Sequence, residues 1–299
     1  MTYKSKLIIA LGLVYVIWGS TFMVTKVVLE FIPPLLLITI RFGLGGLFML
    51  IYTLLIGERT SKIQILNASF IGILLSAIGN GALAIAIQHV PSGIVALFAS
   101  ASPIWVFMIN FLWFERKKPS LSSFIGLILG FAGMVYLLNP SASLSSKIEV
   151  WPISVVMVGT LSWAYASLKA KELSLPKSSL QSAAIQMLAA GIFTSIFSFF
   201  LEENQLHSLQ NIPSKAIWSM AYLIFIGSYI GYLAYLWLIN NAPMEIASTY
   251  AYITPLVALL IGWVVLGEAI TSRTIIASLI ILTGVMLISL GNKKEHLDQ

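Results

Sequence analysis

The sequence predicts an all-α integral membrane protein: ten transmembrane helices, arranged as two five-helix repeats inserted in opposite senses. Three observations carry this. Of 299 residues, 59% are apolar and 9% charged, with a mean hydropathy of +0.95. A soluble domain carries about 25% charged residues, so 17 Lys and Arg with 11 Asp and Glu cannot coat a water-facing surface of this size. The apolar residues fall into blocks of about 20, the number that crosses about 30 Å of hydrocarbon as a helix. Finally, residues of the first half recur in order in the second. A soluble enzyme is excluded. Backbone groups in lipid must be satisfied internally, and the blocks lack the alternation of barrel strands, so the spans are helices.

The spans are read at 7–28, 33–57, 66–88, 91–114, 120–139, 151–170, 178–202, 214–238, 243–266 and 271–291. Lys4 and Lys6 ahead of the first span resemble the start of a signal peptide. Nine further spans follow and no A-x-A site adjoins it, so a retained helix is expected. Pro33–Pro34 open the second span, which places Arg41 about 12 Å inside it. The third span carries Gly79-Asn80-Gly81, where two glycines each weaken a helix by about 1 kcal/mol relative to alanine. Pro103 and Pro255 lie inside the fourth and ninth spans and are expected to act as helix hinges that free backbone carbonyls. Gly126-x-x-x-Gly130 in the fifth span suits close helix packing within the chain.

Orientation follows from Lys and Arg. Lys4, Lys6, Arg59, Lys62, Arg116, Lys117, Lys118, Lys169, Lys171, Lys177, Lys293 and Lys294 fall on the side of the termini; Lys147, Lys215 and Arg273 fall on the other. Both termini are therefore expected in the cytoplasm, with the chain multi-pass in a bacterial cytoplasmic membrane. The same bias accounts for the charge of +6 and pI of 9.4, and no nucleic-acid partner is expected.

An offset of 145 pairs Trp18 with Trp163, Lys26 with Lys171, Arg41 with Gln186 and Gly46 with Gly191. An offset of 152 then pairs Ser76 with Ser228, Gly79 with Gly231, Pro91 with Pro243 and Pro103 with Pro255. Gly133 and Gly284 occupy the fifth and tenth spans. The repeats run from 7 to 140 and from 150 to 291. Five spans per repeat is odd, so the second copy is expected upside down. Inverted helical repeats are the architecture of alternating-access transporters, with the substrate between the copies near mid-membrane.

Polar groups deep in spans are the functional candidates, because lipid has no use for them. Arg41 either holds a substrate carboxylate or satisfies helix-end carbonyls. Asn80 either lines a cavity or makes an interhelical hydrogen bond. Gln186 shares the repeat position of Arg41. Among the aromatics, Trp18 and Trp163 are mid-span repeat partners, Tyr229 and Tyr232 share a helical face, and Tyr250 lies in the ninth span ahead of Pro255. Lys26 reads as an interface anchor. The one aspartate is Asp298 and there is no cysteine. No HExxH or Walker-type motif occurs, which excludes a zinc protease and direct drive by ATP. No cofactor or metal is expected.

Trp18-Gly19-Ser20-Thr21 with Lys26, Pro34 with Arg41, Pro91-Ser92-Gly93, and Glu115 and Glu268 closing the repeats' fourth helices resemble the EamA-type branch of the drug/metabolite transporter superfamily, over essentially the whole chain. Gly79-Asn80-Gly81, Met187-Leu188-Ala189-Ala190-Gly191 and Ser248-Thr249-Tyr250-Ala251-Tyr252 ahead of Pro255 are similar to its YedA-like bacterial inner-membrane transporters. The resemblance implies a central cavity lined by helices 1–4 and 6–9, with helices 5 and 10 peripheral. It also implies amino acids and related metabolites as substrates, commonly exported.

The expected function is secondary active or facilitative export of a small metabolite. Trp18, Asn80, Trp163, Tyr229, Tyr232 and Tyr250 would line the cavity, and Arg41 and Gln186 would orient the substrate or gate it. The alternatives are uptake of an adenosyl or nucleotide-like metabolite, which aromatic stacking would accommodate, and a non-transporting membrane scaffold. Small-molecule substrate and membrane lipids are the expected partners, and the chain is a monomer or homodimer.

Overall fold

The structure, a computed structural model, describes residues 2–114, 120–138, 150–203, 209–210, 212–242, 244–247 and 249–297. Glu115, Arg116, Lys117, Lys118, Lys147, His207, Pro243, Ser248 and Asp298 lie outside the described residues, as does the segment between the repeats.

The chain forms helices α1 (Tyr3–Leu29), α2 (Pro34–Leu55), α3 (Lys62–His89), α4 (Ser92–Trp113), α5 (Leu121–Leu138), α6 (Val150–Lys169), α7 (Ser179–Leu201), α8 (Ser214–Leu238), α9 (Tyr250–Leu266) and α10 (Ser272–Leu297). No strand occurs among the described residues. Local sequence sets the ends. The Thr2 hydroxyl accepts from the Ser5 amide at 3.3 Å, and Pro34 opens α2 where its missing N–H costs nothing. Ser61 and Gln64 form a capping box at α3, and Ser178 caps α7. Gly57 (φ +84°) and Gly267 (φ +67°) turn the chain after α2 and α9 in the left-handed region that glycine tolerates.

Seven helices, α1–α4 and α6–α8, are long and apolar enough to cross a membrane. At the fifth, ninth and tenth expected spans the apolar stretches are shorter: Leu121–Leu137, Tyr250–Leu266 and Ser272–Ile288. The ninth loses its first turns because a separate short helix, Met244–Ala247, precedes Tyr250. Large apolar side chains point outward, among them Leu55 (81% exposed), Phe200 (76%) and Trp218 (75%). Such a surface suits lipid and not water.

The packing is reciprocal between the halves. α2 packs on its repeat partner α7, and α5 on its partner α10. α1 packs on α8 and α9, while its partner α6 packs on α3 and α4. The reciprocity extends to single residues. A Cβ on Gly46 would run into the Leu188 amide, and one on Gly191 would lie 2.5 Å from Gly43 Cα; at the offset of 145, Leu188 is the partner of Gly43. In α5 and α10, a Cβ on Gly284 would lie 2.7 Å from the Gly130 amide nitrogen and one on Gly133 would lie 3.0 Å from that of Ile281. Ile281 and Gly284 are the partners of Gly130 and Gly133 at an offset of 151. Contacts of the form i with j′ and j with i′ are those of a two-fold relation. Small residues carry them because helices in lipid associate by close backbone approach rather than by hydrophobic drive. Gly126 and Gly130 serve this contact, so that motif works within the chain.

Candidate functional site

Three helices depart from regular winding where the halves meet. α3 is π-helical over Ile73–Asn80 and α8 over Tyr222–Ile230, at overlapping repeat positions. Wider turns release carbonyls from the usual ladder, and side chains take them up. Asn80 Nδ2 donates to the Leu75 carbonyl at 3.3 Å, and Ser228 Oγ to that of Leu223 at 3.0 Å. Ser162 Oγ of α6 donates to Leu74 at 2.9 Å. α4 breaks at Ser100–Ala101 and restarts with Pro103 in its new first turn. Pro255 lies inside α9, within its first two turns.

A cavity of about 30 Å³ lies between α1, α2 and α3. Its polar lining is Thr21, Thr25, Arg41 and Asn80, and its apolar walls are Phe22, Ile38, Leu83, Ala84 and Ile87. Arg41 is 9% exposed. Its Nε donates to Ser228 Oγ of α8 at 3.3 Å, and its guanidinium carbon lies 5.0 Å from the centroid of the Phe42 ring. The absence of a side chain at Gly227 makes room for it, since a Cβ there would stand 3.5 Å from Nη2 and 3.0 Å from Thr21 Cγ2.

The other sequence candidates fall into separate neighbourhoods. Trp18 and Tyr250 meet with Tyr235 in a triangle of rings, at centroid distances of 5.2 Å (Trp18–Tyr235), 5.3 Å (Trp18–Tyr250) and 5.4 Å (Tyr235–Tyr250). One turn away, Tyr15 and Thr249 share a 2.5 Å hydrogen bond. Tyr229 donates to the Gly45 carbonyl of α2 at 2.5 Å, and Tyr232 to the Ser179 carbonyl of α7 at 3.5 Å; both rings pack with Met49, Ala183 and Ala184. Gln186 donates to Ser182 Oγ at 3.0 Å, with its backbone against Gly72. Trp163 lies over Gly79 and is 39% exposed. Of the eight candidates, then, only Arg41 and Asn80 line the described cavity.

The structure adds residues that the sequence reading passed over. Trp18, Thr21 and Thr25 follow a three–four spacing along α1, a polar stripe in an apolar helix that would have pointed to Thr21 and Thr25. Ser228 had a repeat match but no assigned role. At the opposite end of the bundle from Tyr250, Lys26 Nζ donates to the last carbonyls of α3, at Ile87 and Gln88. Glu268 accepts from Ser92 N at 2.7 Å, Ser92 Oγ at 3.0 Å and Gly93 N at 3.2 Å, capping α4. Glu202 accepts from Leu35 N at 2.6 Å and Leu36 N at 2.9 Å, capping α2. A carboxylate suits a helix N-terminus because the first amides are unpaired and the dipole is positive there.

Comparison with known proteins gives a consistent answer. The model of the EamA-like transporter family matches twice, at residues 5–139 and 150–290. An uncharacterized inner membrane transporter of Escherichia coli K12, YedA, is 35% identical over 94% of this chain and 90% of its own length. The uncharacterized transporter YvbV of Bacillus subtilis is 24% identical over 98% and 94%. A probable amino-acid metabolite efflux pump of E. coli K12 is 23% identical, with 92% of each chain covered. A solved crystal structure shares the fold with a TM-score of 0.63 at 16% identity, over 98% of this chain and all of the other.

Proposed function

The chain belongs to the EamA-like transporter family, and on that premise we propose that it exports small metabolites, amino acids or their derivatives among them, from a bacterial cytoplasm by alternating access. It does so by secondary active or facilitative transport, with both termini cytoplasmic and α5, α9 and α10 crossing beside the seven longer helices. The carrying observation is the cavity around Arg41 and Asn80, a polar pocket set between membrane helices, whose arginine is held by Ser228 from the opposite repeat. A group bound there would bias both halves at once, as alternating access requires. The reciprocal contacts support two copies related by a two-fold axis, and an odd number of spans per copy sets that axis in the membrane plane.

In this reading the Trp18–Tyr235–Tyr250 triangle closes the cytoplasmic half of the path, and Trp163, Tyr229, Tyr232 and Gln186 line the surfaces that part when it opens. Pro103 and Pro255 act as the hinges. Outward direction rests on likeness to a relative named as an efflux pump. The test is counterflow in proteoliposomes preloaded with single amino acids and their derivatives. Accumulation of labelled solute against protein-free liposomes is expected for at least one. A complete panel without flux, together with a stoichiometric co-purifying protein, would replace transport by a scaffold role.

A further inference from the structure

Arg41 is a buried cation in a membrane helix, and a buried charge is tolerated only when a counter-charge or full hydrogen bonding meets it. Among the described residues the ion pairs are Lys169–Glu172 and Lys215–Glu30, and neither reaches Arg41. Its described polar contact is the single bond from Nε to Ser228. With Nε committed sideways, the free edge of the guanidinium is the Nη1–Nη2 pair, which matches the two oxygens of a carboxylate. Gly227, having no side chain, makes room for the Nη2 end of the fork. The preformed space, about 30 Å³, has room for one or two water-sized groups and not for a whole metabolite.

The remaining lining sharpens the chemistry. No carboxylate lines the cavity, so an ammonium group gains no counter-charge there. Asn80 spends one of its two amide hydrogens on Leu75 and Thr21 spends its hydroxyl hydrogen on the Trp18 carbonyl, so the lining meets an amine with neutral groups alone. Phe22, Ile38, Leu83 and Ile87 complete the lining as an apolar wall that offers a bound carboxylate no competing donor or charge.

We propose that Arg41 is a carboxylate anchor and that the site selects its substrates by their carboxylate while being indifferent to the amine, so that N-acylated and 2-oxo acids bind as well as the parent amino acid. This rests on the transporter reading for its use in the cell, but its binding chemistry stands separately.

The experiment compares five probes with one tail: L-leucine, N-acetyl-L-leucine, 4-methyl-2-oxopentanoate, L-leucine methyl ester and L-leucinamide. Thermal unfolding of the purified full-length protein in detergent is followed against each, since a ligand of the native state raises the midpoint by mass action. The three carboxylates are expected to raise the midpoint with half-saturation within a few-fold of each other, and the ester and amide to leave it unmoved. Arg41→Gln should weaken the carboxylates roughly 10- to 100-fold, the loss of a charge-assisted pair, with Arg41→Lys intermediate. The wild-type comparison of acid with ester needs no variant and so survives a failure of Arg41→Gln to fold. An ester or amide that binds as well as the acid, a requirement for the free amine, or no shift from any carboxylate at 10-millimolar levels would overturn the anchor. Flux of leucine ester by wild-type protein would remove the anchor and leave transport standing. Carboxylate-selective binding without flux of any probe would do the reverse.

Discussion

The indole of Trp18 lies directly over Gly231, so close that a Cβ on that glycine would stand 2.6 Å from Nε1 and 2.9 Å from Cδ1. The repeat partners keep the same relation, with Trp163 over Gly79, but there a Cβ would meet the ring at 3.1 Å. The two contacts differ in freedom as well as distance. Trp18 is wedged between Tyr235 and Tyr250, whereas Trp163 is partly exposed and can swing.

Gly231→Ala is therefore expected to lower stability by about 1–3 kcal/mol, the usual range for overpacking, even after the helix propensity gained. Gly79→Ala should stay within about 1 kcal/mol of wild type. Thermal unfolding in detergent reads both, and Trp18→Phe should relieve much of the Gly231→Ala loss. An equal or greater loss at Gly79 would contradict the asymmetry.

The crossing of α2 and α7 gives a sharper contrast among glycines three residues apart. A Cβ on Gly46 would run into backbone, at 2.8 Å from Leu188 Cα and 2.9 Å from the Ala184 carbonyl, and one on Gly191 into Gly43. A Cβ on Gly43 itself meets nothing nearer than 3.9 Å. Backbone cannot rotate away as a side chain can. Gly46→Ala and Gly191→Ala are expected to impair folding and membrane yield, and Gly43→Ala to be tolerated or slightly stabilising. Yield of monodisperse protein by size-exclusion chromatography distinguishes them.

Glu268 and Glu202 tie helix ends far apart in the chain. Glu268→Ala should cost about 1–2 kcal/mol through the uncapped start of α4, and Glu202→Ala a similar amount at α2. Replacement by Gln, which keeps one acceptor oxygen, should recover part of each. The check is again the unfolding midpoint; a neutral Glu268→Ala would mean that water serves those amides equally well.

How much of this was legible beforehand varies with the range of the signal. Hydrophobic blocks located the seven helices long and apolar enough to cross a membrane, and shorter apolar helices lie at the other three expected positions, because burial in lipid acts on each span alone. The break ahead of Pro103 was legible for the same reason: a proline's lost donor and ring clash are local. The Gly46–Gly191 match was visible as a repeat, though not that the two helices would pack on one another. What stayed hidden depends on partners distant in sequence. Nothing near Glu268 indicates that it caps residues 92 and 93. Nothing near Tyr229 indicates that it donates to Gly45. Trp18 and Trp163 hold one repeat position yet acquire different neighbours, so a shared place in the repeat did not fix a shared environment. The three–four spacing of Trp18, Thr21 and Thr25 was readable and was missed, since threonine is common enough in membrane helices to pass unremarked.

Asn80 separates a role in transport from one in structure. Its amide hydrogen bond runs to its own helix, at Leu75, and to no other element described. Asn80→Ala should therefore leave the unfolding midpoint within about 0.5–1.5 kcal/mol of wild type, the net worth of one hydrogen bond, while flux falls about tenfold. Trp163→Ala tests the half-exposed partner side and should reduce flux less than Asn80→Ala. Wild-type flux from correctly inserted Asn80→Ala would remove the cavity from the path.

The opposed insertion of the repeats can be tested without any substrate. The chain has no cysteine, so a single introduced thiol is unambiguous. Arg59, after α2, and Glu203, after α7, occupy nearly equivalent loop positions at the offset of 145, and both are exposed. If the copies ran in the same sense, thiols at the two sites would react from the same face. If they are inverted, the faces differ. With cytoplasmic termini, Glu203→Cys should react with a membrane-impermeant maleimide in intact cells, and Arg59→Cys only after permeabilisation. Helix ends fray, so each loop warrants a second site: Lys177→Cys is expected to follow Arg59, and Ser272→Cys to follow Glu203. Labelling of Arg59→Cys and Glu203→Cys from one side would rule out inversion, and with it the axis that lets one cavity open to either face.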